Sequence, residues 1–203
     1  MADRKVASSL GRYVYGAAAI ALGVTGLVWG DFATNWQRVQ ADVPGRHALA
    51  YITAVYELFG GVAILWRRTA RAGAMMLAIL YSFFALLWVP RILGSPQVYD
   101  VWGNFFEELS LVIAGVVLWY RHRYFFPARR RGYPLGSSGW TCLALAHRDD
   151  CWLRSSGVAP KLLASPHDHF AWAGNAVCLA LAGAAWVIAD SISEPRNATV
   201  GTW

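Results

Sequence analysis

Glu57 is the side chain whose type and position point most directly to chemistry, because it interrupts a long apolar stretch. A carboxylate at the centre of a bilayer costs about 2.5–3.5 kcal/mol on insertion scales, so it usually faces a bundle interior or water. Since burial disfavours the charged form, Glu57 could exchange a proton or bind a ligand. The alternative is a neutral carboxyl that only clamps neighbouring helices together. At a helical rise of about 1.5 Å per residue, four hydroxyl groups fall near its depth and could hydrogen-bond it: Thr25, Tyr81, Ser82 and Ser110.

A second polar group lies near the start of a later apolar stretch. Glu107 and Glu108 are adjacent there, and Asn104 shares a helical face with Glu108 at i, i+4 spacing. Arg91 precedes that stretch and could pair with either glutamate from the same side of the membrane. These four residues predict one of two arrangements. One is an acidic outer vestibule for a cation or polar ligand, and the other is a set of interfacial charges held by a local salt bridge.

Signals for metal and redox cofactors are weak. No cysteine pair has the C-x-x-C spacing that structural zinc sites usually show, so we expect no metal site. A membrane cytochrome needs axial histidines in the middle of its helices, and all five histidines lie outside the apolar stretches, so haem is not expected. Neither a P-loop nor a G-x-G-x-x-G motif occurs, and nucleotide chemistry is therefore unsupported.

Membrane helices must position these residues. Hydrophobic residues make up 57% of the 203 residues and charged residues 15%, whereas a soluble domain carries about 25% charged residues. A helix needs about 20 mostly apolar residues to cross a bilayer, and its backbone must satisfy its own hydrogen bonds there. We therefore predict an all-α fold with a transmembrane four-helix bundle, a disordered basic linker and a fifth, C-terminal transmembrane helix. The predicted spans are residues 13–30, 48–66, 72–90, 101–120 and 170–189.

The distribution of arginine and lysine sets the expected orientation. Basic residues cluster before the first helix, between the second and third, and after the fourth, while the other two loops are poorer in net positive charge. This alternation predicts a multi-pass protein of the cell membrane with a cytoplasmic N-terminus and the lipid bilayer as its partner. It also accounts for the net charge of +6, so we expect no nucleic-acid binding.

An internal repeat links the fourth helix to the C-terminal part. The segment VPRILGSP at 89–96 recurs as APKLLASP at 159–166, and a Trp followed by Asn precedes an apolar stretch in both copies. This pattern indicates an ancestor with two copies of the bundle. We divide the chain into a bundle at 1–122, a basic polar segment at 123–158 and a partial second repeat at 159–203. The middle segment is either a genuine linker or a repeat whose coding sequence has been frame-shifted or deleted.

The internal repeat and the count of membrane crossings predict opposite sides of the membrane for the start of the last helix. The repeat places that start outside, like the 91–100 loop, whereas counting crossings from the fourth helix places it inside. We leave its orientation open. Because its repeat partners are missing, we expect this helix to pack less closely than the first four pack among themselves.

The second and third stretches resemble those of the DoxX and DoxX-like membrane proteins. Glu57 followed by Gly60-Gly61, Arg71 with small residues opening the next helix, and Asn104 before an apolar helix carry this resemblance. It implies a four-helix membrane bundle and an accessory or redox-associated subunit of a membrane complex, with other membrane or redox subunits as partners. A quinone is the cofactor that it suggests. The alternatives are a small transporter or proton-binding membrane protein that uses Glu57, and a non-functional truncated copy. Whether the protein is an enzyme stays open.

Overall fold

The computed structural model of the protein describes residues 3–33, 36–124 and 167–192, and within these ranges every regular element is an α-helix. All five helices are long and apolar enough to cross a membrane, which confirms the predicted fold class. The helices are α1 (Asp3–Trp29), α2 (Arg46–Leu65), α3 (Ala70–Gly94), α4 (Tyr99–Tyr124) and α5 (His169–Ile192). Most of the predicted linker at 123–158 and the repeat segment at 159–166 lie outside the described residues.

Helix ends follow local chemistry. Gly30 follows α1 at a φ of 62°, and Gly45 precedes α2 at a φ of 74°, a left-handed conformation that only glycine adopts readily. The predicted end of the third helix at Pro90 is too early, because α3 continues to Gly94. Proline is tolerated inside membrane helices, where neighbouring groups satisfy the backbone that it frees.

The five helices form a closed ring in which each packs on two neighbours, in the order α1, α2, α3, α4, α5 and back to α1. Small residues allow the helix backbones to approach closely. A Cβ added at Gly23 would lie 2.7 Å from the carbonyl oxygen of Ala54 in α2. A Cβ at Gly73 would lie 2.6 Å from the carbonyl oxygen of Gly60. The five helices therefore surround a shared interior.

Helix α5 packs tightly on α1, while its contact with α4 is the least extensive between neighbours in the ring. The expected looser packing therefore applies to its α4 side and not to its α1 side. Ala173, Ala180 and Ala184 each expose about 1% of their surface. Gly183 lies so close to α1 that an added Cβ would come within 2.6 Å of the backbone nitrogen of Tyr15. A face of small residues gives α5 tight contact without the helices that the repeat would have supplied, and α5 fills the gap between α1 and α4.

The direction of α5 follows from its contacts with α1. His169 at its start stacks on Trp29 at the end of α1, with ring centroids 5.2 Å apart. Near the other end of α5, Val187 lies against Gly11. Helix α5 therefore runs antiparallel to α1 and parallel to α4, so α4 ends and α5 begins at opposite ends of the bundle. The internal repeat predicts this arrangement. Counting membrane crossings from α4 predicts the opposite direction for α5.

We call the two ends of the bundle the loop end and the arginine end. The loop end holds residues 30–33 and 36–45, between α1 and α2, and residues 95–98, between α3 and α4. The arginine end holds the turn at 66–69, between α2 and α3.

The α1–α2 loop folds into the loop end of the ring. Phe32 is buried and packs edge-to-face on Phe84, with ring centroids 6.2 Å apart. The indole N–H of Trp88 donates to the carbonyl oxygen of Trp36 at 3.1 Å. These contacts close the loop end, and they direct the next residue of the loop into the interior.

Candidate functional site

Glu57 lies at the centre of the ring with 1% of its surface exposed. The amide of Gln37, from the α1–α2 loop, donates from Nε2 to Oε1 of Glu57 at 2.7 Å. The amide oxygen of Gln37 accepts the backbone N–H of Ala33 at 3.2 Å. Gln37 is thus held at both ends of its amide, and it fixes the position of the Glu57 carboxyl.

Glu108 also points into the interior, with 3% of its surface exposed. Among the described residues its Oε2 atom has no hydrogen-bond partner, although the atom is buried. The carboxyl interacts electrostatically with that of Glu57 across the ring. Two acidic groups, one from α2 and one from α4, therefore share the same interior space.

Two tyrosines complete this group. The Tyr15 hydroxyl donates to the carbonyl oxygen of Leu111 at 2.9 Å, and its ring meets that of Tyr81 edge-on with centroids 6.4 Å apart. The Tyr81 hydroxyl is buried without a hydrogen-bond partner in the described ranges. Both phenols interact electrostatically with Glu57 and Glu108. We call these five side chains the interior cluster: Tyr15, Gln37, Glu57, Tyr81 and Glu108.

Three of the hydroxyls predicted near Glu57 turn to their own helices. Thr25 donates to the carbonyl oxygen of Leu22 at 2.7 Å, a contact three residues back. Ser82 and Ser110 do the same at 2.6 and 2.7 Å, to carbonyl oxygens four and three residues back. Serine and threonine in a helix satisfy their hydroxyls this way when no better acceptor is in reach. Of the four predicted hydroxyls, Tyr81 is the one in the interior cluster.

The four residues predicted to form an outer vestibule do not converge. Glu107 is half-buried and accepts the indole N–H of Trp36 at 2.8 Å. Asn104 donates from Nδ2 to the carbonyl oxygen four residues before it at 2.7 Å. Arg91 is exposed, and the ion pair found in the described part of the chain joins Asp31 and Arg46 instead. Glu108 belongs to the interior cluster. Of the four predicted vestibule residues, it is therefore the one that contributes to the mid-membrane site.

Sequence reasoning missed Gln37 and Tyr15. Gln37 lies in a polar loop, and nothing in its spacing shows that the loop turns inward. Tyr15 could have been found, because it belongs to the uncharged first stretch and carries a group that needs a hydrogen-bond partner when buried.

The interior cluster combines two carboxyls and two phenols. In the described ranges, neither carboxyl makes an ion pair with arginine, lysine or histidine. No three His, Cys, Asp or Glu side chains in those ranges converge as metal ligands, and we assign no metal site there. Such a group can hold a proton between its oxygen atoms, because each carboxyl can act as donor or acceptor according to its protonation.

In comparisons with known proteins, no protein-family model, no curated protein and no solved structure matches this chain.

Proposed function

We propose that this protein is a proton-binding membrane protein whose interior cluster exchanges a proton during function. Five helices long and apolar enough to cross a bilayer support the membrane assignment. The observation that carries the proposal is the Oε2 atom of Glu108, which is buried in the ring and lacks a hydrogen-bond partner among the described residues. A buried polar atom of this kind calls for an explanation such as a bound ion, water or proton.

The arrangement of charges supports a proton as the ligand. Two carboxyls that share a buried site cannot both ionise without strong mutual repulsion. Since neither Glu57 nor Glu108 has an ion-pair partner in the described ranges, a proton is the simplest charge that balances them. Tyr81 adds an unpartnered hydroxyl beside the pair. Gln37 connects Glu57 to the loop end, from which a proton could enter.

Proton flux into liposomes tests this proposal. The full chain is purified, reconstituted and loaded with a pH-sensitive dye, and a pH gradient is applied with the membrane potential clamped. We expect the Glu57→Gln and Glu108→Gln variants to fold and to lose the flux, because an amide keeps hydrogen bonds but releases no proton. The matched control is Asp100→Asn, which removes an exposed carboxyl and should leave the flux unchanged.

Three outcomes would count against the proposal. If Glu57→Gln transports like the natural chain, the carboxyl is only a neutral clamp between helices. If that variant aggregates, the ionised carboxylate is itself structural. If the natural chain gives no flux and no infrared band of a protonated carboxyl is lost in either Gln variant, the cluster binds no exchangeable proton. Glu57→Leu separates packing from chemistry, because it keeps volume and removes every hydrogen bond.

The accessory, redox-associated role implied by the DoxX resemblance stays a prediction, with a quinone as cofactor and other membrane subunits as partners. No contact described above favours it. Purification in mild detergent with mass spectrometry of bound small molecules and proteins tests it directly. The closed ring supports a working bundle over the non-functional truncated copy, because α5 completes the packing rather than hanging beside it.

A further inference from the structure

An open groove of about 640 Å³ lies at the arginine end, between α1 and the turn that joins α2 to α3. Its walls are apolar or aromatic on the helix side and basic on the turn side. The lining residues are Tyr13, Val62, Leu65, Trp66, Arg67 and Arg68. Because α2 ends at Leu65, the groove lies where the hydrocarbon region gives way to the headgroups.

The two arginines of the groove are exposed, and neither makes an ion pair with a described residue. Several other arginines of the bundle are engaged, although Arg91 is also exposed and makes no ion pair in the described ranges. Arg46 pairs with Asp31 at 2.6 Å, and the guanidinium of Arg71 lies 5.4 Å from the ring centroid of Trp119. Arg67 and Arg68 therefore present two adjacent guanidinium groups that are free to receive an anion.

The apolar side of the groove is equally exposed. Trp66 shows 71% of its surface, and Val62 and Tyr13 are also exposed. Tryptophan and tyrosine favour the membrane interface because their rings are apolar and their polar atoms reach water. The groove thus places aromatic rings at headgroup depth and an aliphatic wall just below, in the direction in which an acyl chain would run.

We propose that this groove binds an anionic phospholipid, with its phosphate held by Arg67 and Arg68 and an acyl chain against Val62 and Leu65. A guanidinium binds phosphate oxygens through two parallel N–H donors, which fixes the headgroup as well as attracting it. Basic pockets between transmembrane helices recognise anionic headgroups in this way. The apolar wall selects a lipid over a soluble phosphate, since a soluble ligand would leave that wall uncovered.

Native mass spectrometry of the full chain, released from nanodiscs of equal phosphatidylglycerol and phosphatidylcholine, tests the proposal. We expect the natural chain to retain phosphatidylglycerol over phosphatidylcholine by about thirtyfold, given the attraction of two arginines near the surface. The Arg67→Gln, Arg68→Gln double variant should lose this preference. The Arg67→Lys, Arg68→Lys double variant should keep only part of it, because lysine offers charge without the planar fork.

The matched control is the Arg71→Gln, Arg121→Gln double variant. It removes the same charge from the arginine end, but Arg71 lies over Trp119 and Arg121 has interactions of its own. We expect it to retain the preference. An equal loss in both glutamine double variants would mean bulk attraction and no site. A natural chain without preference, or one that binds free glycerol phosphate as tightly as the lipid, would also overturn the proposal.

Discussion

Replacing Gln37 by methionine should lower the free energy of unfolding, because it removes both hydrogen bonds of the amide while filling its space. The Glu57 carboxyl and the Ala33 N–H would lose the partners that they have at 2.7 and 3.2 Å. A buried polar group left without its partner costs about 1–3 kcal/mol. Hydrogen bonds inside membrane proteins have averaged only about 0.6 kcal/mol in double-mutant cycles. The lower end of the range, about 1 kcal/mol, therefore applies to each of the two groups, and we expect a total loss of about 2 kcal/mol.

Unfolding in mixed micelles of increasing dodecyl sulfate content, followed by circular dichroism, measures this loss. The control is Gln40→Met, an exposed position of the same loop, which should change stability by less than about 0.5 kcal/mol. Combining Gln37→Met with Glu57→Met gives a cycle, and the double variant should be more stable than the sum of single losses predicts by about 1 kcal/mol. Additive losses would refute the reasoning, because they would show that Gln37 and Glu57 do not interact.

The remaining predictions concern orientation, helix packing and the phenols. A cysteine at Asp100 should be labelled by an impermeant reagent from outside intact cells and one at Thr69 should not; the reverse result would overturn the cytoplasmic N-terminus. Gly183→Ala should destabilise by about 1–3 kcal/mol, because its methyl group meets the backbone of α1, whereas Gly103→Ala, with open space around it, should be tolerated. Tyr15→Phe should cost about 1 kcal/mol in the same micelle assay, since it removes one buried hydrogen bond to α4; an unchanged stability would mean that this bond does not form.

The membrane helices could be predicted from the sequence because the bilayer imposes a length and an apolar composition that few other structures share. The helices mostly extend beyond the predicted spans: α1 begins ten residues earlier, at Asp3, and α3 and α4 each end four residues later. The place of α5 could not be predicted, because hydropathy describes what surrounds a helix and not which helix it contacts.

The candidate site was harder to predict. Hydropathy identifies Glu57 because the carboxylate is costly in its stretch, but adjacent residues such as Glu107 and Glu108 point about 100° apart on a helix. Only packing decides which of the two enters the ring. Gln37 depends on the path of an irregular loop, and no periodicity describes such a path.

The position of α5 in the ring has a consequence for how the protein is assembled. Ribosomes deliver helices to the membrane in chain order, so α5 arrives after the other four described helices, yet its site lies between α1 and α4. Until it arrives, the nascent bundle is open along one side, and Tyr15 has lipid where Gly183 of α5 will later lie. Closure of the ring thus waits for α5, and it joins α1 and α5, which are separated by most of the chain. Quality control that recognises polar groups exposed within the bilayer would act in that interval.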